Sequence, residues 1–109
     1  MQALDQSLET TVIVALRGDC DLARKDEVRL ELSRAKKAGI AIVDLSAAGY
    51  IDSTCLGEIV RLGAMVIASG GKVRVVAPQQ HQKKIFNLLG LTRKIELFET
   101  VAEASALAS

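Results

Sequence analysis

The sequence predicts an α/β domain, with a central sheet that is parallel after a first antiparallel strand or hairpin and about four flanking helices. Strand-like apolar runs recur at residues 11–17, 40–45 and 72–77, rich in Val and Ile. Segments with apolar residues at helical spacing separate them and end at Gly39, Gly70-Gly71 and Gly90. Strand and helix therefore alternate along the chain, the pattern of crossover units that build parallel sheets. With 109 residues, the chain has the length of one domain, and the expectation is a single domain over residues 1–109.

In chain order, a short partner strand is expected around residues 3–8, followed by the strand at 11–17. Gly18-Asp19-Cys20-Asp21 breaks that strand, and Asp21 is placed to cap a helix from about Leu22 to Lys37. Lys25, Val28, Leu32 and Ala35 share one side of this helix, with charged residues mostly elsewhere. The strand at 40–45 reads as buried on both faces, because its apolar run is continuous.

A loop over residues 46–51 is expected to cross the surface. The second helix, about Thr54 to Ser69, then carries Leu56, Ile59, Val60, Gly63 and Ile67 on its apolar side. That arrangement turns Thr54, Glu58, Arg61, Met65 and Ala68 outward. Gly70-Gly71 supplies the stop. After the strand at 72–77, Pro78 opens a helix of about Gln79 to Leu89 that carries Ile85, Leu88 and Leu89 inward. A short strand at 95–98 and a capping box at Thr100 and Glu103 lead into an alanine-rich final helix.

Composition narrows the function. Half the residues are hydrophobic, and Phe86, Phe98 and Tyr50 are the only aromatics, so the core is aliphatic. A formal charge of +1 gives no electrostatic case for nucleic acid or an anionic membrane surface. No apolar run approaches the roughly 18–20 residues that span a bilayer, so no direct membrane insertion is expected. The first residues lack the basic start and apolar stretch of a signal peptide. Cys20 and Cys55 lack metal-ligand spacing and are expected to be reduced, unpaired thiols of a cytoplasmic protein. No metal or cofactor is expected.

The sharpest local feature is Asp52-Ser53-Thr54, which follows the strand and loop and opens the second helix. Short polar side chains there can accept hydrogen bonds from the free amides of the first turn. A serine hydroxyl at this point lies on the positive end of the helix dipole, where a phosphate can be held. Ser53 can equally be part of a cap and nothing more. Asp19 and Asp21 leave the first strand at the same expected sheet edge, where they orient the serine or repel a phosphate, or else Asp21 caps its helix and Asp19 is solvated. Small Gly57 and Ala64 beside exposed Met65 would let another protein approach the outward face of the helix, and methionine adapts to irregular partners.

No catalytic constellation accompanies the serine. His81 is the only histidine and stands in a polar run, and a G-x-S-x-G elbow is missing. Gly70-Gly71-Lys72 precedes a strand, which excludes a phosphate-binding loop. Asp44 has no acidic pair at an earlier strand end to form a metal-dependent phosphoacceptor.

Leu16-Arg17-Gly18-Asp19-Cys20-Asp21 resembles the L-x-G-[ED]-L-D signature of the STAS domain. Val43-Asp44-Leu45-Ser46 followed by Ile51-Asp52-Ser53-Thr54-Cys55-Leu56-Gly57 resembles its D-S-S/T-G-L-G signature. Gly70-Gly71-Lys72 and Leu88-Leu89-Gly90-Leu91 match later landmarks, so the resemblance covers nearly the whole chain in order. It is most similar to the stand-alone bacterial members, the anti-sigma-factor antagonists.

The resemblance implies a non-enzymatic regulator that works by partner switching. Unphosphorylated, it binds an anti-sigma factor with serine kinase activity; phosphorylated on Ser53, it lets go. Asp19, Asp21, Asp52 and Thr54 would neighbour the switch, and Cys55, Gly57, Glu58, Arg61 and Met65 would meet the partner. Cys20 stands where the family has leucine and Cys55 where it has glycine, which adds bulk in the first turn of the switch helix. The alternatives are a STAS subunit of a membrane transport complex and, from another class, a small serine-dependent hydrolase.

Overall fold

A computed structural model describes residues 10–106. Its central sheet is built from β1 (Thr11–Ala15), β3 (Ile40–Asp44), β5 (Lys72–Val76) and β6 (Glu96–Phe98), in the order β1-β3-β5-β6. Every pairing in it is parallel, with Ile13 opposite Ile42, Ile42 opposite Arg74, and Val75 opposite Leu97. The expected partner strand around residues 3–8 lies outside the described residues.

The helices are α1 (Lys25–Ser33), α2 (Ser53–Ala68), α3 (Gln80–Leu88) and α4 (Val101–Ala106). A turn of 3-10 helix at Leu22–Arg24 precedes α1, and another at Leu91–Arg93 follows α3. Helices cover both faces of the central sheet, which is why β3 is apolar without alternation. Ala41 and Val43 point into the larger core with Val28, Leu32, Ile59 and Phe86. Ile40 and Ile42 point the other way, onto Val76, Ala104 and Phe98.

Two further strands form where a break and a loop are expected. β2 (Gly18–Cys20) pairs in parallel with β4 (Ala48–Ile51) as a separate two-stranded sheet. Ala48 and Ile51 are buried while Tyr50 is exposed, so the segment expected to be a surface loop alternates as a half-buried strand does. Arg24 holds β2 in place by donating to the carbonyls of Arg17 at 2.6 Å and Asp19 at 2.7 Å.

Two helices are turned differently from the expected faces. On α2 the inward residues are Leu56, Ile59, Leu62, Gly63 and Val66, while Val60 and Ile67 are 37% and 40% exposed. Apolar residues surround most of this helix, so the pattern has no sharp stripe to fix its rotation. On α3, Phe86 and Gln82 face inward and Leu88 is 74% exposed, contrary to the expected inward Leu88 and Leu89. The chain leaves the helix there through Gly90, whose φ of 69° takes it off in the left-handed conformation, so the last turn never reaches the core.

Half of the expected capping box of α4 is present: Glu103 donates its amide to Thr100 Oγ1, while its side chain accepts the amide of Glu99 instead of that of Thr100, both at 3.1 Å. At the end of α2, Gly71 packs so closely that a Cβ there would lie 2.6 Å from the carbonyl oxygen of Ala38.

Candidate functional site

Ser53 is the first residue of α2 and is exposed. Its position follows from Asp52, which is extended (φ −93°, ψ 176°) and caps the helix by accepting the Cys55 amide at 3.0 Å on Oδ1. The second oxygen, Oδ2, accepts the Leu22 amide at 3.0 Å. One carboxylate thus closes the start of α2 and the start of the turn leading into α1. The Asp52 amide donates back to the Cys20 carbonyl at 3.1 Å, tying the cap to the end of β2. The serine hydroxyl makes no hydrogen bond to any described residue.

The neighbouring acids take different parts. Asp19 accepts the Tyr50 amide at 2.8 Å and holds β4 beside β2. Asp21 opens the 3-10 turn with its backbone carbonyl, which accepts the Arg24 amide at 3.0 Å. Its side chain makes no capping bond, against expectation: the Arg24 amide that such a cap would accept goes to the Asp21 backbone carbonyl instead. Asp21 Oδ1 is buried without a hydrogen-bond partner among the described residues. Thr54 is half-buried in the first turn of α2. Asp44 is engaged locally, accepting both the amide and the hydroxyl of Ser46.

A shallow depression beside Ser53 is lined by Tyr50, Asp52, His81, Gln82 and Ile85. His81 and Ser53 border the same hollow but are not hydrogen-bonded to each other. Gln82 is buried beneath it and donates to the Leu45 carbonyl at 3.1 Å, which fixes the start of α3 against the end of β3. Neither Tyr50 nor Gln82 stands out in the sequence, since their roles depend on which strand and helix ends meet here.

Along α2, Gly57, Arg61 and Met65 are exposed, as expected. Glu58 is not: it is 8% exposed, and Arg29 on α1 donates to its two oxygens from Nε and Nη2, each at 2.8 Å. This fork-to-fork pair draws Glu58 inward between the helices. The Arg29 hydrogen bonds, opposed by burial, hold the Glu58 carboxyl below its usual range, and they raise Arg29 in turn.

Cys55 and Cys20 are fully buried free thiols. Cys55 therefore lies beneath the exposed face of α2. Burial is the main cause pushing its thiol up to about 12, with Cys20 and Asp52 adding to it. Burial also raises Cys20, partly offset by Arg24. Among the described residues, no helix is long and apolar enough to cross a membrane.

The comparisons with known proteins agree with this architecture. A candidate anti-sigma factor antagonist of Thermotoga maritima is 33% identical over 60 residues, which are 55% of this chain and 53% of the relative, about half its length. The crystal structure of a candidate anti-sigma factor antagonist from Thermotoga maritima superposes with a TM-score of 0.77 at 23% identity, covering 88% of this chain and 85% of that one. The phosphorylated form of SpoIIAA, a Bacillus cell fate determinant, superposes with a TM-score of 0.72 at 21% identity, covering 93% of each chain. The sequence profile of the STAS domain matches residues 3–104, and the chain belongs to the STAS domain family.

Proposed function

We propose that this chain is a single-domain, non-enzymatic anti-sigma-factor antagonist of the cytoplasm that switches partners through phosphorylation of Ser53. The observation that carries the proposal is the exposed Ser53 hydroxyl, free of described partners, at the head of a 16-residue helix. Its similarity to anti-sigma factor antagonists, among them SpoIIAA, which is described in both an unphosphorylated and a phosphorylated form, supports the same assignment.

The unmodified protein binds an anti-sigma factor that is also a serine kinase, through the start of α2 and the exposed Gly57, Arg61 and Met65. Phosphorylation adds about −1.5 to −2 charges at neutral pH. Burying that charge against a surface fitted to a neutral hydroxyl, beside Asp52, costs on the order of 2–5 kcal/mol of affinity. At about 1.4 kcal/mol per tenfold, the partner is released by roughly thirty-fold or more.

The test is co-expression with a kinase-type anti-sigma factor from a neighbouring gene, followed by mass spectrometry and affinity measurement. Phosphate is expected on Ser53, Ser53→Ala should stay bound, and Ser53→Asp should bind weakly. If Ser53 takes no phosphate and Ser53→Asp binds like the parent, the switch is refuted and the transport-subunit alternative takes its place.

A further inference from the structure

The groove between α1 and α2 has a chemistry that the switch at Ser53 leaves unused. Met65, 38% exposed, gives it an apolar patch above the buried Leu32 and Leu62, and Arg29, Lys36 and Arg61 stand along its walls. Glu58 lies at its base, with both oxygens taken by Arg29. That pair neutralises Arg29. The side chains of Arg61 and Lys36 have no hydrogen bond or ion pair to any described residue, although the Arg61 charge also acts on Glu58. Lys25 adds a further positive charge felt by Glu58, and Asp26 is the other carboxylate felt by Arg29. Cations therefore outnumber carboxylates here, although the whole chain is close to neutral at +1.

We propose that this groove docks an acidic amphipathic helix of the partner protein, with carboxylates on Arg61 and Lys36 and its apolar stripe on Met65. The idea rests on the partner-binding function above and adds the chemistry of the partner's contacting segment. Charge complementarity selects the occupant. A polyphosphate chain would use the cations and leave Met65 wet, whereas a helix with acidic flanks uses both. Helices lay an apolar stripe into a groove of this kind through residues repeating at i, i+3, i+4 and i+7. Arginine matches a carboxylate with two parallel bonds, so Arg61 fixes register as well as sign.

Arg61 lies about 12 Å along the helix from Ser53, from the rise of about 1.5 Å per residue. That exceeds the screening length of about 8 Å at physiological salt. The groove and the switch therefore act separately: the first attracts and orients the partner, the second releases it.

The probe is a helix-forming peptide of about 16 residues with leucine on one stripe and glutamate on the flanks, beside a control with every glutamate changed to glutamine. Heteronuclear NMR titration of the full chain at low salt should shift the amides of Lys36, Arg61 and Met65 with the acidic peptide. The glutamine control should bind about tenfold more weakly. Added salt should erase the difference. The double variant Lys36→Glu, Arg61→Glu should lose the acidic peptide without a change in melting temperature. Glu58→Gln should instead tighten it, because Arg29 is then released to the groove.

Equal binding of the two peptides, shifts confined to another surface, or weaker binding by Glu58→Gln would each overturn the proposal. Ser53→Asp should leave peptide binding unchanged, which keeps the two hypotheses apart. Groove binding with no phosphate on Ser53 refutes the switch alone. Phosphate on Ser53 with no peptide in the groove refutes the groove alone.

Discussion

Asp52 accepts the amide of Leu22 at 3.0 Å across a separation of 30 residues, while its other oxygen caps α2 through Cys55. Two orphan amides from two different helical starts share one carboxylate, next to the proposed phosphoacceptor. Asp52→Ala should therefore cost about 2 kcal/mol, more than an ordinary cap, because both amides lose their acceptor. Asp52→Asn keeps one good acceptor and should cost about half as much. Urea unfolding of the two variants checks the order; equal and negligible losses would mean that solvent replaces both bonds.

Gly49 is held to glycine by its neighbour rather than by its backbone angles. A Cβ there would lie 2.5 Å from Asp19 Oδ1, the oxygen that accepts the Tyr50 amide at 2.8 Å. Gly49→Ala should destabilise by about 1–3 kcal/mol by forcing Asp19 out of that bond. In an Asp19→Ala background the bond is already gone and the clash with it, so the second substitution should cost clearly less. A double-mutant cycle in urea measures this coupling, and additive losses would contradict it.

The parts of the site that are local in sequence were legible, and those made by distant partners were not. Asp52 is a capping residue at the head of an apolar helix, so the exposed serine after it follows from adjacent residues. The continuous apolar run of β3 likewise announces a strand covered on both faces. By contrast, β4 contains Gly49 and an exposed tyrosine, and only its pairing with β2 makes it a strand. Glu58 looks outward until Arg29, on another helix, is brought to it. Leu88 and Leu89 match a helical stripe, yet their burial depends on where Gly90 turns the chain away.

Cys55 is pushed up to about 12, chiefly by burial, and Cys20 is raised for the same main reason. Native protein near pH 8 should therefore resist thiol-modifying reagents, and both thiols should react quickly in denaturant. Stability has a matching slope. Since the folded pKa lies above the unfolded thiol value of about 8.5, the favourable contribution is intact below that value and is lost as pH rises toward the folded one. Cys55→Ala should flatten the alkaline limb of a stability–pH curve. An unchanged limb, or rapid native labelling, would show that the thiol is not desolvated.

Glu58 works in the opposite direction. Its carboxyl is held below the usual range, first by the hydrogen bonds from Arg29. The unfolded glutamate titrates near about 4.3, so the contribution is present above that pH and is lost as pH falls through the lower folded value. Arg29 is 46% exposed, so solvent and salt reduce the value of the pair, and Glu58→Gln should cost only about 1 kcal/mol at neutral pH. The gap between parent and variant should close in acid. A gap that stays constant from neutral pH down to about pH 3 would mean the pair contributes by packing rather than charge.

Modification of Ser53 should separate affinity from stability. A negative group on the first residue of α2 meets the free amides and the positive end of the helix, an effect of about 0.3–1 kcal/mol at an exposed site. Asp52 already occupies part of that field with its own carboxylate, and the two negative groups repel, so the gain is reduced. Ser53→Asp should consequently unfold within about 0.5 kcal/mol of the parent while its partner affinity falls at least about tenfold. Thr54→Ala removes a half-buried hydroxyl one position further into the turn and should leave phosphate incorporation intact, because Ser53 is the exposed residue of the two. Denaturant melts, partner titration and phosphopeptide mapping on the same preparations test all three statements. A Ser53→Asp protein destabilised by several kcal/mol would mean that release works by loosening the helix. A protein of parental stability with weakened affinity places the switch at the interface itself.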